Sequence, residues 1–307
     1  MSNSNGCYDT VIIGGGPGGI SAAIYAIRSG LKTLLIEKGI IGGQIIKSNI
    51  IENYPGFPSA SGSELMAQFE EHAKSLDTEI KYAEVLSINK SEDKFRLKTR
   101  TDDIETRSVI IATGAEPKRL GFDGEEEFFG RGIAYCATCD GPFYKDKPIA
   151  VIGGGDTAVK ESIFLSKIVS KIYLIHRRDQ LRAEKILQDR LFACENVEFK
   201  WNSNILKVVG NNLGVTGVVI KNKINSEEES LVIDGAFVLV GIDPSTDFVE
   251  CDKDSGRFIK TDQNMMSSVA GIFAIGDCRV SPLRQVATAV GDGAIAAMQA
   301  ADYLSEL

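Results

Sequence analysis

Two cysteines, Cys136 and Cys139, stand three positions apart in the run C-A-T-C-D-G. Cysteines at this spacing do one of two kinds of chemistry. They supply half of a zinc site, or they form a dithiol that cycles with its disulfide. Zinc needs about four ligands, and the chain has neither a second C-x-x-C nor an H-x3-H. Cys7, Cys194, Cys251 and Cys278 are scattered. A pair that merely packs is a third reading. Redox is favoured because the chain also offers two nucleotide-type loops, and so a route for electrons. No metal is expected. Asp140 follows Cys139 directly. A carboxylic acid there can protonate a leaving thiol, provided burial raises its pKa. The plain alternative is turn chemistry, which D-G-P also suits.

The first loop is G-G-G-P-G-G, residues 14–19, in which Gly14, Gly16 and Gly19 fit G-x-G-x-x-G. The first glycine permits the turn. The second lets a pyrophosphate approach the backbone, and the third lets helix pack on strand. Pro17 suits the first helical turn. Glu37 lies about 23 residues beyond Gly14, where an acid accepts hydrogen bonds from a ribose 2′-OH. The second loop, Gly153-Gly-Gly155-Asp156-Thr157-Ala158, fits G-x-G-x-x-A. The strand after it ends in His176-Arg177-Arg178 rather than in an acid. Arginine there accommodates a 2′-phosphate and favours NADP over NAD. Arg182 lies one helical turn further if the helix has begun. The plain reading of this cluster is a solvated basic strand end. His176 is placed at the adenosine end of the nucleotide rather than at the chemistry, and His72 on a solvated helix face.

These loops need strands and helices to hold them. Residues 9–13 (D-T-V-I-I) read as a buried strand ended by glycine, residues 17–30 as a helix, and residues 32–37 as a second strand. This is a βαβ unit and implies a parallel sheet. The pattern returns as a strand at 148–152, a helix at 156–169 and a strand at 171–175. A helix is expected over 181–193, alternating strands up to 240, a strand-to-turn at 271–277 and a final alanine-rich helix over 284–304.

The chain has 307 residues, which suggests two domains. It holds 31 glycines, ten of them in three clusters at 14–19, 42–43 and 153–155. Hydrophobic residues at 43% and charged residues at 25% are ordinary for a globular protein. The formal charge is −8, from 34 basic and 42 acidic residues, which disfavours a nucleic-acid partner. No run approaches the ~18 apolar residues of a membrane span. The polar stretch from Met1 to Asp9 lacks the features of a signal peptide. Few cysteines, with one special pair, favour a reducing, cytoplasmic setting.

Taken together, these motifs make the chain resemble the low-molecular-weight, bacterial-type thioredoxin reductases, NADPH-dependent members of the pyridine nucleotide-disulfide oxidoreductases. The resemblance spans essentially the whole length. It is carried by the two glycine loops, E37-K-G-I-I-G-G-Q44, E52-N-Y-P-G-F57, A112-T-G114, C136-A-T-C-D140, H176-R-R-D-Q-L-R182, G276-D-C278 and R284-Q-V-A-T-A289. It departs slightly, with Asp156 where Asn is frequent and Leu181 where Phe is frequent.

The resemblance implies an α/β chain with two Rossmann-like, three-layer nucleotide-binding domains. An FAD domain would be built from residues 1–117 and 246–307, and an inserted NADPH domain, 118–245, would carry the C-x-x-C. FAD would meet Gly14, Gly16, Pro17, Gly19, Glu37, Lys38, Gly42, Gly43, Gln44, Asn53, Ala112, Thr113, Gly114, Gly276, Asp277, Arg284, Gln285 and Val286. NADPH would meet Gly153, Gly155, Asp156, Thr157, Ala158, His176, Arg177, Arg178 and Arg182. Hydride would pass from NADPH to the flavin, then to the Cys136–Cys139 disulfide, then to a thioredoxin disulfide. Cys139, beside the acid, would be nearest the flavin. A homodimer is implied too.

Position adds one inference. The dithiol lies just before the second loop and shares its domain, so dithiol and nicotinamide must both reach one flavin. Rotation between domains is expected, with hinges near 116–118 and 241–245, where Pro117 and Pro244 interrupt the pattern. Phe143 and Tyr144 are candidates for partner contact or for core.

Overall fold

A computed structural model describes residues 7–48 and 50–307. The polar stretch at the N-terminus therefore lies mostly outside the described residues. The chain divides into two compact units, one of residues 1–116 with 243–307, the other of residues 117–242.

The first unit opens with β1 (Tyr8–Ile13), α1 (Pro17–Arg28) and β2 (Thr33–Glu37). Then come α2 (Gly62–Lys74), β3 (Glu79–Tyr82), β4 (Val85–Ser91), β5 (Lys94–Thr99), β6 (Asp103–Ile111) and β7 (Ala115–Pro117). The second unit holds β8 (Ile133–Ala134), α3 (Ala137–Asp140), β9 (Pro148–Gly153), α4 (Asp156–Leu165), β10 (Lys171–Ile175) and α5 (Lys185–Phe192). It continues with β11 (Val197–Lys200), β12 (Ser203–Asn211), β13 (Gly214–Asn222), β14 (Glu228–Val232) and β15 (Gly235–Leu239). The return passes through β16 (Ile242–Pro244), β17 (Ile272–Ala274) and α6 (Val286–Ser305).

In the first unit β3, β2, β1 and β6 lie side by side, with β17 on the far edge of β6, all parallel. The β4–β5 hairpin extends the start of β6 antiparallel. Because side chains alternate across a strand, β1 sends Val11 and Ile13 to one face and Ile12 to the other. A sheet apolar on both faces needs cover on both. One cover is helical: α1 and α6 pack there through Ala22, Ala23, Ala26, Ala296, Ala297 and Ala300. Small residues let the two helices close up, and a side chain at Gly293 would strike the Gly18 carbonyl. The other cover comes from Val85, Ile88, Phe95, Leu97, Val249 and Ile259.

The second unit repeats the plan. Its parallel sheet runs β11-β10-β9-β15-β8. Helices α4 and α5 cover one face, with Val159, Leu165, Leu187 and Leu191 buried. An antiparallel sheet, β12-β13-β14, covers the other through Ile205, Val218, Ile220 and Leu231. Each unit therefore has helices on one face of its parallel sheet and β structure over the other, the β4–β5 extension of the same sheet in the first unit and the separate β12-β13-β14 sheet in the second.

Helix boundaries differ from the periodicity in one instructive place. The segment 181–184 is not helical, and α5 starts only at Lys185. The chain there folds back on the second loop instead. The Arg182 N–H donates to the Gly154 carbonyl at 2.7 Å, and the Glu184 N–H to Asp156 Oδ1 at 2.8 Å. Arg182 is consequently not one helical turn from Arg178. Among the described residues, no helix is long and apolar enough to cross a membrane.

Candidate active site

Cys136 and Cys139 are joined as a disulfide. Cys136 is the N-cap of the one-turn helix α3, and its Sγ accepts the Cys139 N–H at 3.2 Å. Cys136 is half-buried and Cys139 exposed. A one-turn helix has no intrahelical partner for its first N–H groups. Glu161 of α4 reaches across to accept one of them, that of Ala137, at 3.0 Å. Burial lifts the Glu161 carboxyl, and this bond opposes the lift.

Asp140 ends the same turn. Burial pushes its carboxyl up to about 6, so it holds its proton well above the pH at which an ordinary aspartate has lost it. The aromatic pair after it divides its roles. Phe143 is exposed, while Tyr144 packs edge-on against Phe237 with ring centroids 5.4 Å apart. The preceding residue, Tyr135, is also held. Its hydroxyl donates to Glu125 at 2.7 Å, and the Arg119 guanidinium lies 5.3 Å from its ring centroid. Glu125 is 2% exposed and accepts the Leu120 and Gly121 N–H groups as well, at 3.0 and 2.6 Å. Neither Glu125 nor Glu161 stands out in the sequence, since acids at these positions look like ordinary surface residues.

The two glycine loops have the same construction. Gly14 and Gly153 adopt φ of +111° and +159°. A Cβ at Gly14 would meet the Ala112 carbonyl, and one at Gly153 would meet Ala158 and the Leu239 carbonyl. Gly16 and Gly155 differ: a Cβ on either would have nothing within 4 Å. These are the N-caps of α1 and α4, and neither helix start carries a side-chain cap. Open space before uncapped N–H groups is what a pyrophosphate requires. Glu37 braces the first loop: its two oxygens accept the Gly15 and Gly39 N–H groups, each at 2.7 Å. Gly42 joins it through its N–H to the Gly15 carbonyl, 2.8 Å. Lys38 and Gln44 are exposed nearby in sequence.

Chain return assembles the rest of the first site. Asn53 donates to Gln285 Oε1 at 3.0 Å across 232 residues. Thr113 donates to the Ser245 carbonyl at 2.6 Å, and Ser245 N–H to the Gly114 carbonyl at 3.1 Å. Gly276 donates to Asp292 at 3.1 Å. Burial raises the Asp277 carboxyl; Arg284 pulls it down and Asp292 pushes it up. The Arg284 guanidinium lies 4.4 Å from the centroid of Phe258, and its Nε is buried without a hydrogen-bond partner among the described residues. An orphaned buried donor, on an arginine whose charge acts on Asp277, fits a site shaped for a polar ligand. Val286 is buried at the start of α6.

In the second site His176 is not a surface ligand. It is 5% exposed and lies under Gly154, where a side chain at residue 154 would strike its ring. Burial, more than the nearby Arg182 and Arg178, lowers its pKa. Arg177, Arg178 and Arg182 are exposed. Asp156 and Thr157 begin α4, and Ala158 is buried beneath Gly153. Cys278 is wholly buried, and burial pushes its thiol up to about 11, so it stays inert.

A disulfide with one exposed cysteine, together with two open-mouthed βα glycine loops, defines an oxidoreductase that couples dinucleotides to disulfide chemistry. Similarity to known proteins agrees. The chain matches the pyridine nucleotide-disulphide oxidoreductase pattern over residues 8–293, and it belongs to that family. It is similar to the thioredoxin reductase of Listeria monocytogenes, 41% identical over 100% of this chain and 97% of that one. The thioredoxin reductase of Bacillus subtilis is 43% identical, over 98% and 96%. Among solved structures, thioredoxin reductase from Streptococcus pyogenes superposes with a TM-score of 0.95 at 45% identity, covering 99% of this chain and 100% of the other. Membership implies a flavin and a nicotinamide cofactor.

Proposed function

We propose that the protein is an NADPH-dependent, FAD-containing thioredoxin reductase. The observation that supports it best is the Cys136–Cys139 disulfide, with Cys139 exposed and the burial-raised carboxyl of Asp140 beside it. In this reading FAD would be held at the first loop, with residues 1–117 and 246–307 supplying Gly14, Gly16, Glu37, Gly42, Gly43, Asn53, Asp277, Arg284 and Gln285. NADPH would be held by the second loop within residues 118–245, where Arg177, Arg178 and Arg182 would meet its 2′-phosphate. When bound, the cofactors supply hydride from NADPH and relay it through the flavin to the disulfide.

The chain's own residues do the rest. Cys139 takes the electron pair as the S–S bond breaks, and Asp140 holds the proton that neutralises the released thiolate. The dithiol then exchanges with a disulfide of thioredoxin, reducing it and re-forming Cys136–Cys139. Dithiol and second loop share the unit 117–242, so in this reading that unit would turn about the crossings at 116–118 and 241–245 to let each be used in turn. A homodimer in a reducing, cytoplasmic setting completes the proposal.

The test is NADPH-driven reduction of a small disulfide reagent with and without the host's thioredoxin. A rate that needs thioredoxin, prefers NADPH over NADH and vanishes in Cys136→Ser and Cys139→Ser supports the reading. A rate indifferent to thioredoxin, or driven only by reduced ferredoxin, defeats it.

A further inference from the structure

Glu161 takes no part in the chemistry above, yet it touches the backbone between the two sulfurs. Its Oε2 accepts the N–H of Ala137, the first residue of α3, and Cys136 is the N-cap of that turn. The contact joins residues 24 apart in sequence. It links the helix that follows the second glycine loop to the turn that holds the disulfide.

The bond bears on the sulfurs once the disulfide opens. A thiolate gains from hydrogen-bond donors on its own turn and loses from a nearby negative charge. One donor is already in place, the Cys139 N–H at 3.2 Å from Cys136 Sγ. The adjacent Ala137 N–H is committed to Glu161 and so is withheld from the sulfur. The Glu161 carboxylate also brings its charge up to the turn. Both effects act in one direction on Cys136, against ionisation. Other ionisable groups tied to this turn are Asp140 on α3 itself and Tyr144 after it, which senses both Asp140 and Asp234. Asp140 lies beside Cys139 in sequence, whereas Glu161 meets the turn at the residue next to Cys136.

We propose that Glu161 is a positioning residue, anchoring the redox turn through Ala137 and keeping the Cys136 thiol less acidic than the bare turn would make it. A more basic thiolate is the stronger nucleophile per ionised molecule. That property suits a cysteine that must attack a partner disulfide. The inference rests on the pair working as a dithiol.

The experiment is alkylation of the reduced, flavin-bound protein with iodoacetamide across a pH series, with Cys136 and Cys139 quantified separately by mass spectrometry. Glu161→Gln keeps an acceptor for Ala137 but removes the charge. Its Cys136 midpoint falls by about half a pH unit or more. Glu161→Ala also frees the N–H, and its midpoint falls further. Circular dichroism checks that each variant is folded, and if one is not, the other decides. An unchanged or raised Cys136 midpoint overturns the proposal, because a carboxylate that merely fills space does not move it. Turnover of thioredoxin by the unaltered protein is measured alongside. Its absence would count against the proposed function, while the midpoints still report on Glu161.

Discussion

The imidazole of His176 occupies the space that a side chain at Gly154 would need. The residue closing the second strand thus forms the floor of the loop that follows the first strand. Two segments of the second unit set one another's shape, and Arg182 reinforces them through its N–H on the Gly154 carbonyl. Gly154→Ala forces the imidazole or the loop to move. Overpacking of this kind costs about 1–3 kcal/mol. The expected outcome is weaker NADPH binding with the flavin retained, read by titration and by the visible spectrum.

The exposed Arg177 and Arg178 should separate NADPH from NADH. Hydrogen bonds to a charged group are worth about 1.5–3 kcal/mol, so Arg177→Ala and Arg178→Ala each raise the KM for NADPH about 10–100-fold. The KM for NADH should hardly change. Steady-state kinetics with both nucleotides checks this, and equal losses would remove the arginines from the phosphate site.

Asp140 combines a catalytic and a stability prediction. As a general acid it contributes a factor of about 10²–10⁴, and Asp140→Asn should lose that much thioredoxin-linked rate. Its ordinary value is 3.8 and burial lifts it to about 6. The folded state therefore holds this proton more tightly than the unfolded chain. The carboxyl costs nothing below 3.8 and destabilises increasingly as pH rises to about 6, then at a constant level above. Relative to the unaltered protein, Asp140→Asn should gain stability progressively from 3.8 to about 6 on the pH scale and keep that gain at higher pH, measured by urea unfolding. A difference that does not change between 3.8 and about 6 would mean the carboxyl is not shifted.

Glu37 braces the first loop with both oxygens. Glu37→Ala leaves the Gly15 and Gly39 N–H groups to water and removes an acceptor for a ribose. Flavin affinity should fall at least about tenfold, since each lost bond to a charged group is worth about 1.5–3 kcal/mol. Dialysis followed by absorbance of the retained flavin measures it. Cys136 and Cys139 should still form their disulfide in this variant, because they stand in the other unit.

Much of the arrangement is legible in local sequence. Strands β1, β9 and β10 are short apolar runs, and glycine ends the first two. Their loops need left-handed or crowded backbone that only glycine supplies, as Gly14 and Gly153 show. The C-x-x-C turn is legible too, because its two sulfurs need only one helical turn to meet. Helix α5 marks the limit. Residues 181–184 have helical periodicity, but bonds to Gly154 and Asp156 on a distant loop hold them in another conformation.

What the sequence by itself determined is the kind of chemistry: two phosphate-ready loops, one cysteine pair and a basic strand end, each built from neighbours in the chain. Tertiary structure alone decided which groups meet. It set Asn53 on Gln285, His176 under Gly154, Glu161 on Ala137 and Glu125 on Tyr135. It also decided which carboxyls are buried enough to hold a proton. The physical reason is separation. A hydrogen bond reaches about 3 Å, and residues tens or hundreds of positions apart come that close only when the sheets and helices between them have packed.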